Sequence, residues 1–171
     1  MHEYMIGNYA MQTTAAPVAV ATANGVKTML QVATPATRMA YIVSWGYSFD
    51  VASAGIMTVE FIQTDVAATV TAHVASGVQP LDANAPASLL TLGTAATGFT
   101  ATVEGSTTAT RNLAAPRKIP IASADSSALS YAYQFMPDER PILPISKFAR
   151  IRVTATTTTP TMFCWVVVGG C

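Results

Sequence analysis

The chain has 171 residues, of which nine are acidic and nine basic, so its formal net charge is zero. Hydrophobic residues make up 51% and charged residues only 11%, whereas a freestanding protein surface carries roughly 25–35% charged residues. Neutrality removes any overall field toward nucleic acid or anionic lipid, no apolar run approaches the ~18 residues of a bilayer span, and so sparse a set of charges points to a surface that packs against other protein.

The length suits one domain with a real core. Cys164 lies in an apolar run and Cys171 is the last residue, so no disulfide framework is expected and nothing calls for an oxidising compartment. The first eleven residues carry His2, Glu3 and Asn8 and lack a basic stretch leading into an apolar core, so no secretion signal is expected. Charge is unevenly spread. Residues 1–110 hold six acids (Glu3, Asp50, Glu60, Asp65, Asp82, Glu104) against Lys27 and Arg38, while residues 111–171 hold seven bases against three acids. That split either lets unlike halves of neighbouring subunits attract or reflects chance among few charges.

Period-2 alternation recurs along the chain and helical periodicity does not. Residues 1–12 read as an arm lying outside the domain. Val18–Ala23 and Val26–Ala33 flank Asn24-Gly25, a hairpin turn signal. Met39–Phe49 alternates most clearly: Met39, Tyr41, Val43, Trp45, Tyr47 and Phe49 share one face, and Gly46 on the other leaves room for a bulge or a close neighbour. Ile56–Gln63 follows across an Ala/Ser/Gly loop, with Met57, Val59 and Phe61 on one side, and reads as the second strand of a hairpin. Asp65–Ser76 fits a strand better than a short helix, and Val78–Ser88, with two prolines, reads as a loop. Further strands are expected at Leu89–Leu92, Gly98–Val103, Arg117–Ile121 and Leu129–Met136. Phe148–Ala155 and Met162–Val168 are expected to pair as a hairpin across the Thr-rich turn Thr154–Pro160. Eight to ten short strands with regular turns predict a single all-β domain over residues 13–171, an antiparallel β-sandwich or barrel.

Little in the chain carries chemistry. His2 and His73 are the two histidines, and no HxH, HExxH, CxxC, Gly-x-Ser-x-Gly or phosphate-loop pattern is present. Glu60 with Asp65, or Asp138 with Glu139, could be imagined as a glycosidase pair, but Asp138-Glu139-Arg140 between Pro137 and Pro141 reads more readily as a charged loop tip. No enzyme, metal or cofactor is expected. Candidate partner contacts are Arg117 and Lys118 at a Pro-flanked edge, and Arg150 and Arg152 on the face of their strand opposite Ile151 and Val153. That face is either a dock for acidic groups or simply wet. Trp165 joins them, in a run, Phe163-Cys164-Trp165-Val166-Val167-Val168, that is apolar on both faces. Such a strand is buried in a thick core or at a subunit interface.

Several stretches resemble a group of small virion proteins of tailed phages that infect actinobacteria. They are Arg38-Met39-Ala40-Tyr41-Ile42-Val43-Ser44-Trp45-Gly46-Tyr47-Ser48-Phe49, Thr64-Asp65-Val66-Ala67-Ala68-Thr69-Val70, Gln79-Pro80-Leu81-Asp82, Gly98-Phe99-Thr100, Glu104-Gly105 and Phe148-Ala149-Arg150-Ile151-Arg152-Val153. The resemblance extends over about residues 26–168 and leaves the N-terminal stretch outside it. It implies a jelly-roll-like β-sandwich that decorates and cements the outer surface of the capsid as a homotrimer bound to the major capsid protein. The protein would be made in the host cytoplasm and have no direct contact with nucleic acid or membrane. It carries no residue-level role. The alternative is a tail-fibre or receptor-binding sandwich module, which would want an exposed sugar-binding groove.

Overall fold

A computed structural model describes residues 2–10, 16–120, 129–157 and 160–170. In chain order the strands are β1 (Glu3–Gly7), β2 (Val20–Ala21), β3 (Gly25–Ala33), β4 (Ala40–Phe49), β5 (Met57–Thr64), β6 (Thr69–Ala72), β7 (Val78–Pro80), β8 (Gly98–Val103), β9 (Arg111–Asn112), β10 (Arg117–Ile119), β11 (Ser130–Gln134), β12 (Ile142–Leu143), β13 (Phe148–Ala155) and β14 (Thr161–Gly169). Single 3-10 turns stand at Ala75–Gly77 and Pro137–Glu139. The fold is an all-β sandwich, as the alternation predicts.

The larger sheet runs β11-β4-β14-β1-β7, with β12 also on β4 and β2 on β14. Opposite it lie two smaller sheets, β10-β5-β13 with β9 also on β5, and β3-β8-β6; abutting along β13 and β3, they form the second sheet of the sandwich. Asn24, before β3, bridges Ala155 at the end of β13, and Thr34, after β3, donates its N–H to the Lys147 carbonyl before β13 at 3.1 Å. The two strands therefore lie side by side in opposite directions. Between the sheets, Trp45 of β4 stacks on Phe61 of β5 with ring centroids 5.1 Å apart. Met29, Ile42, Tyr47, Met57, Val59, Ile151, Val153, Cys164, Val166 and Val168 fill the remaining core.

Several expected connections are corrected. β4 and β5 form no hairpin; they belong to opposite sheets, and residues 50–56 cross the sandwich between them. β13 and β14 likewise separate, β13 pairing with β5 and β14 with β4 and β1. Gly25 has a left-handed φ of +95°, as a turn at Asn24-Gly25 requires. Even so, β2 pairs with β14 and β3 enters the second sheet. Alternation fixes each strand and its inward face but says nothing about whether a short link returns within one sheet or steps across the ~10 Å to the other. Leu89–Leu92 is not a strand and makes one bridge, Leu92 to Thr97. Val78–Ser88 begins with a strand, β7, before becoming a loop, and Ile121 lies outside the described residues.

The expected N-terminal arm is also corrected over its described residues. Glu3–Gly7 is an interior strand, with Met5 opposite Val167 of β14 on one side and Gln79 of β7 on the other. Tyr4 and Ile6 point into the core and are fully buried.

Within β4 the inward face changes midway. Val167 pairs with Ser44 and Val168 with Ile42, so Val43 is an extra residue, a β-bulge. Beyond it Ile42 and Ala40 turn inward, and Tyr41 and Met39, expected on the core face, turn outward. Gly46 has the close neighbour its position suggests: a Cβ there would overlap the Trp165 ring and the Tyr131 carbonyl. Gly46→Ala should destabilise the fold by about 1–3 kcal/mol through overpacking, read as a lower urea midpoint with an unchanged slope.

Candidate interaction surface

The sandwich has two outer faces, and the chain treats them differently. On the second sheet, residues 65–68 and 104–107 lie across β13 and β3, with Gly105 packed directly on the Ala67 backbone. Arg150 of β13 sits beneath them with no exposed side-chain surface. Its guanidinium donates to the main-chain oxygens of Glu104 and Ser106, each at 3.1 Å, and of Val66, and lies 3.7 Å from the Glu104 carboxylate. Glu104 in turn accepts the Thr28 N–H at 2.5 Å and its hydroxyl at 2.6 Å. Gln31 closes the same layer, donating to the Ala96 carbonyl at 2.6 Å and accepting the Ala68 N–H at 2.8 Å. Burial pushes the Arg150 pKa down and the Glu104 charge opposes that shift.

Arg152, two residues along, pairs through Nε with Glu60 at 2.7 Å and donates to the Thr107 carbonyl. Lys147 pairs with Asp65 at 2.8 Å. Arg150 and Arg152 do share the face opposite Ile151 and Val153. That face is neither wet nor free for a partner; it is roofed by the chain itself, and both guanidiniums anchor the roof. As candidate partner contacts they are corrected to intramolecular clamps.

Arg117 and Lys118 are exposed on β10, at one end of the second sheet. The Arg117 guanidinium stacks 4.1 Å from the centroid of the Tyr131 ring, which itself packs on Trp45 and Tyr47. Burial raises the Tyr47 pKa, and Arg117 partly offsets this.

The outer face of the larger sheet has no comparable roof among the described residues. Met162, Cys164, Val166 and Val168 of β14 face the core, and Phe163 and Trp165 face outward, half-buried. With Met5, Tyr9, Ala16 and Pro17 they line an open hollow of about 540 Å³ that carries no charged group. Tyr9 meets Phe163 edge-on at 5.5 Å. Around the β4–β12 end the surface is apolar again: Met39, Met136, Ile142 and Ile145 are all about half exposed or more, beside Arg38 and Arg140. The total exposed area, 8041 Å², matches the ~8,000 Å² expected of a compact monomer of this mass. What is unusual is the chemistry of the surface and not its extent.

Trp165, singled out by the two-sided apolar run, lies in this hollow; Met5 and Tyr9, expected within an arm, line it as well. The Tyr4-Met5-Ile6 alternation with an apolar residue on each side was the available signal. Among the described residues, no group of three His, Cys, Asp or Glu side chains gathers as metal ligands would. His73 is buried against Phe99 at 4.8 Å, its Nε2 2.8 Å from the Gly7 carbonyl. It ties the end of β1 to the segment after β6. The chain matches no protein-family model, no curated protein and no solved structure.

Two expectations follow from this geometry. Arg150→Lys cannot span three carbonyl oxygens with one ammonium, so it should lose most of the roughly 3–5 kcal/mol that breaking a buried pair costs. Urea unfolding of the isolated subunit measures this, and a residue used only for an external partner would leave that midpoint unmoved. Burial holds the His73 imidazole below its ordinary pKa of about 6.5, with the Gly7 hydrogen bond acting the other way. The unfolded chain then binds the extra proton first, so stability should be full above about pH 6.5 and fall as pH drops below it. His73→Gln should flatten that slope in a melting series across pH.

Proposed function

We propose that this chain is a non-enzymatic structural protein of a virion, a capsid decoration or cement protein. Its larger sheet faces protein, binding the outer surface of the major capsid shell and copies of the chain itself. The observation that carries this reading is the uncharged aromatic hollow of Met5, Tyr9, Phe163 and Trp165, in a chain whose charged fraction is only 11%. Aromatic residues and Met, with few charges, are the composition of interface centres. The extended likeness of residues 38–49 and 148–153 to phage virion proteins supplies the choice of partner.

The mechanism is mass action. A ligand that binds the assembled shell and not its separated subunits stabilises the shell by RT ln(1 + [L]/Kd). Many equivalent contacts on one lattice turn a modest affinity into a durable coat through avidity. No bond is made or broken, and no cofactor enters.

Two measurements test the reading. The chain should be present on purified virions in a copy number that scales with the major capsid protein; a handful of copies per particle would instead favour the tail-fibre alternative. The double variant Phe163→Ser, Trp165→Ser removes two anchors of the kind that each contribute about 2 kcal/mol or more at interface hot spots. It should cut binding to purified undecorated heads by at least about 30-fold, with near-native melting. Undiminished binding by a folded variant overturns the assignment of this face.

A further inference from the structure

An exposed strand edge is a template for another strand, because its outward N–H and C=O groups lack ladder partners. The two sheets end at β11 and β7, and at β10 and β6. Three of these ends carry the usual protections. β7 contains Pro80, and β10 sets Arg117 and Lys118 on the edge between Pro116 and Pro120. β6 is broken by two register shifts. β11, Ser130-Tyr131-Ala132-Tyr133-Gln134, contains no charge and no proline, and its pairing with β4 is regular throughout.

The direction of its backbone groups follows from the ladder. Phe135 donates its N–H to the Val43 carbonyl of β4 at 2.9 Å. In an antiparallel pair the groups of alternate residues point the same way, so those of Tyr131 and Tyr133 also point to β4. The N–H and C=O groups of Ser130, Ala132 and Gln134 point away from the sheet, and all three residues are exposed.

The strand is also symmetric in chemistry about Ala132, reading polar–Tyr–Ala–Tyr–polar in either direction. Self-complementarity of this kind is what an isologous contact needs. Charge follows the same symmetry: Tyr131 carries the Arg117 guanidinium on its ring at 4.1 Å, and the Tyr133 hydroxyl lies 3.4 Å from Glu139 Oε2.

We propose that β11 is a homodimerisation edge, on which a second copy of the chain adds antiparallel about a twofold axis through Ala132. Ala132 then faces Ala132, Ser130 faces Gln134, and every outward main-chain group of the three residues gains a partner. Each Tyr131 meets the other copy's Tyr133 at cross-strand distance, roughly 4.5–5.5 Å between Cβ atoms. Arg117 of each copy is thereby brought beside Glu139 of the other, twice over. The larger sheet becomes continuous through the pair, and the Trp165 hollow stays open on both copies. This contact is twofold, unlike the threefold arrangement that the phage resemblance implies, and it does not depend on a virion role.

The test is the association state of the full chain. Sedimentation velocity over a concentration series should show a monomer–dimer equilibrium. Ala132→Pro deletes an outward N–H and no bond to β4, so it should sediment as monomer while melting like wild type. In a Cys171→Ser background, Ala132→Cys should oxidise to one covalent dimer through residue 132, because Cys164 is buried. Arg117→Glu should weaken the dimer and Arg117→Glu with Glu139→Arg should restore it. A wild-type monomer at all accessible concentrations, a trimer, or undiminished association of a folded Ala132→Pro variant overturns the proposal. If Ala132→Pro does not fold, the crosslink decides: its absence in a folded Ala132→Cys variant is equally fatal.

Discussion

The stack of Trp45 on Phe61 is the contact on which the architecture turns. One ring comes from the larger sheet and the other from the second layer, both are fully buried, and their centroids lie 5.1 Å apart. Around them Tyr47, Phe49 and Tyr131 continue an aromatic layer out to the β10–β11 side, where the Arg117 guanidinium closes it. Large flat side chains bury much area at small entropic loss, so they fix the spacing of the sheets as well as holding them together. With that spacing fixed, residues 50–56 can cross between sheets where a hairpin was the simpler expectation. On the reverse of the same strand Gly46 leaves the gap that Trp165 occupies. One strand therefore organises both the dry interior and the outward aromatic surface.

The two outer faces then diverge in how their polar groups are handled. The face bearing Arg150 would hold buried charge and unpaired carbonyls were it simply covered. Arg150, Glu104, Thr28 and Gln31 pair with one another and with the covering backbone, leaving the Arg150 Nε without a partner, and extensive pairing of this kind is what lets a buried polar layer be tolerated. Around Trp165 the opposite face avoids the problem, because its aromatic hollow carries no charged group. A surface of that kind loses little on contact with another protein, since few hydrogen bonds to water must be given up. The first face thus serves the stability of the subunit, and the aromatic hollow of the second is what supports the proposed use of that face in association.

Strand positions in the middle of the chain were legible because alternation is a local signal: Gly98–Val103 and Phe148–Ala155 match the observed strands residue for residue. Pairing was not, because which strand lies beside which is decided by packing between residues far apart in sequence. The Val43 bulge was hidden for a related reason. Met39, Tyr41 and Val43 continue the pattern of Trp45, Tyr47 and Phe49 without a break, and only the partner strand reveals the extra residue. Trp165 stood out because a strand apolar on both faces has no wet side to spare. Arg150 misled because an alternating charged residue reads as solvent-facing unless a distant segment, here residues 65–68 and 104–107, is known to return over it. β1 was missed because five residues near a terminus give too short a pattern to separate a strand from an arm.

The grip of Arg150 has a consequence for how this protein can vary. The guanidinium holds main-chain oxygens of Val66, Glu104 and Ser106, and a carbonyl is the same whichever side chain its residue bears. Val66 already points half outward. Exchanging Val66 or Ser106 would alter what that flank displays while leaving the fastening intact. The molecule thus possesses a region where new outward chemistry can be installed without renegotiating the fold beneath.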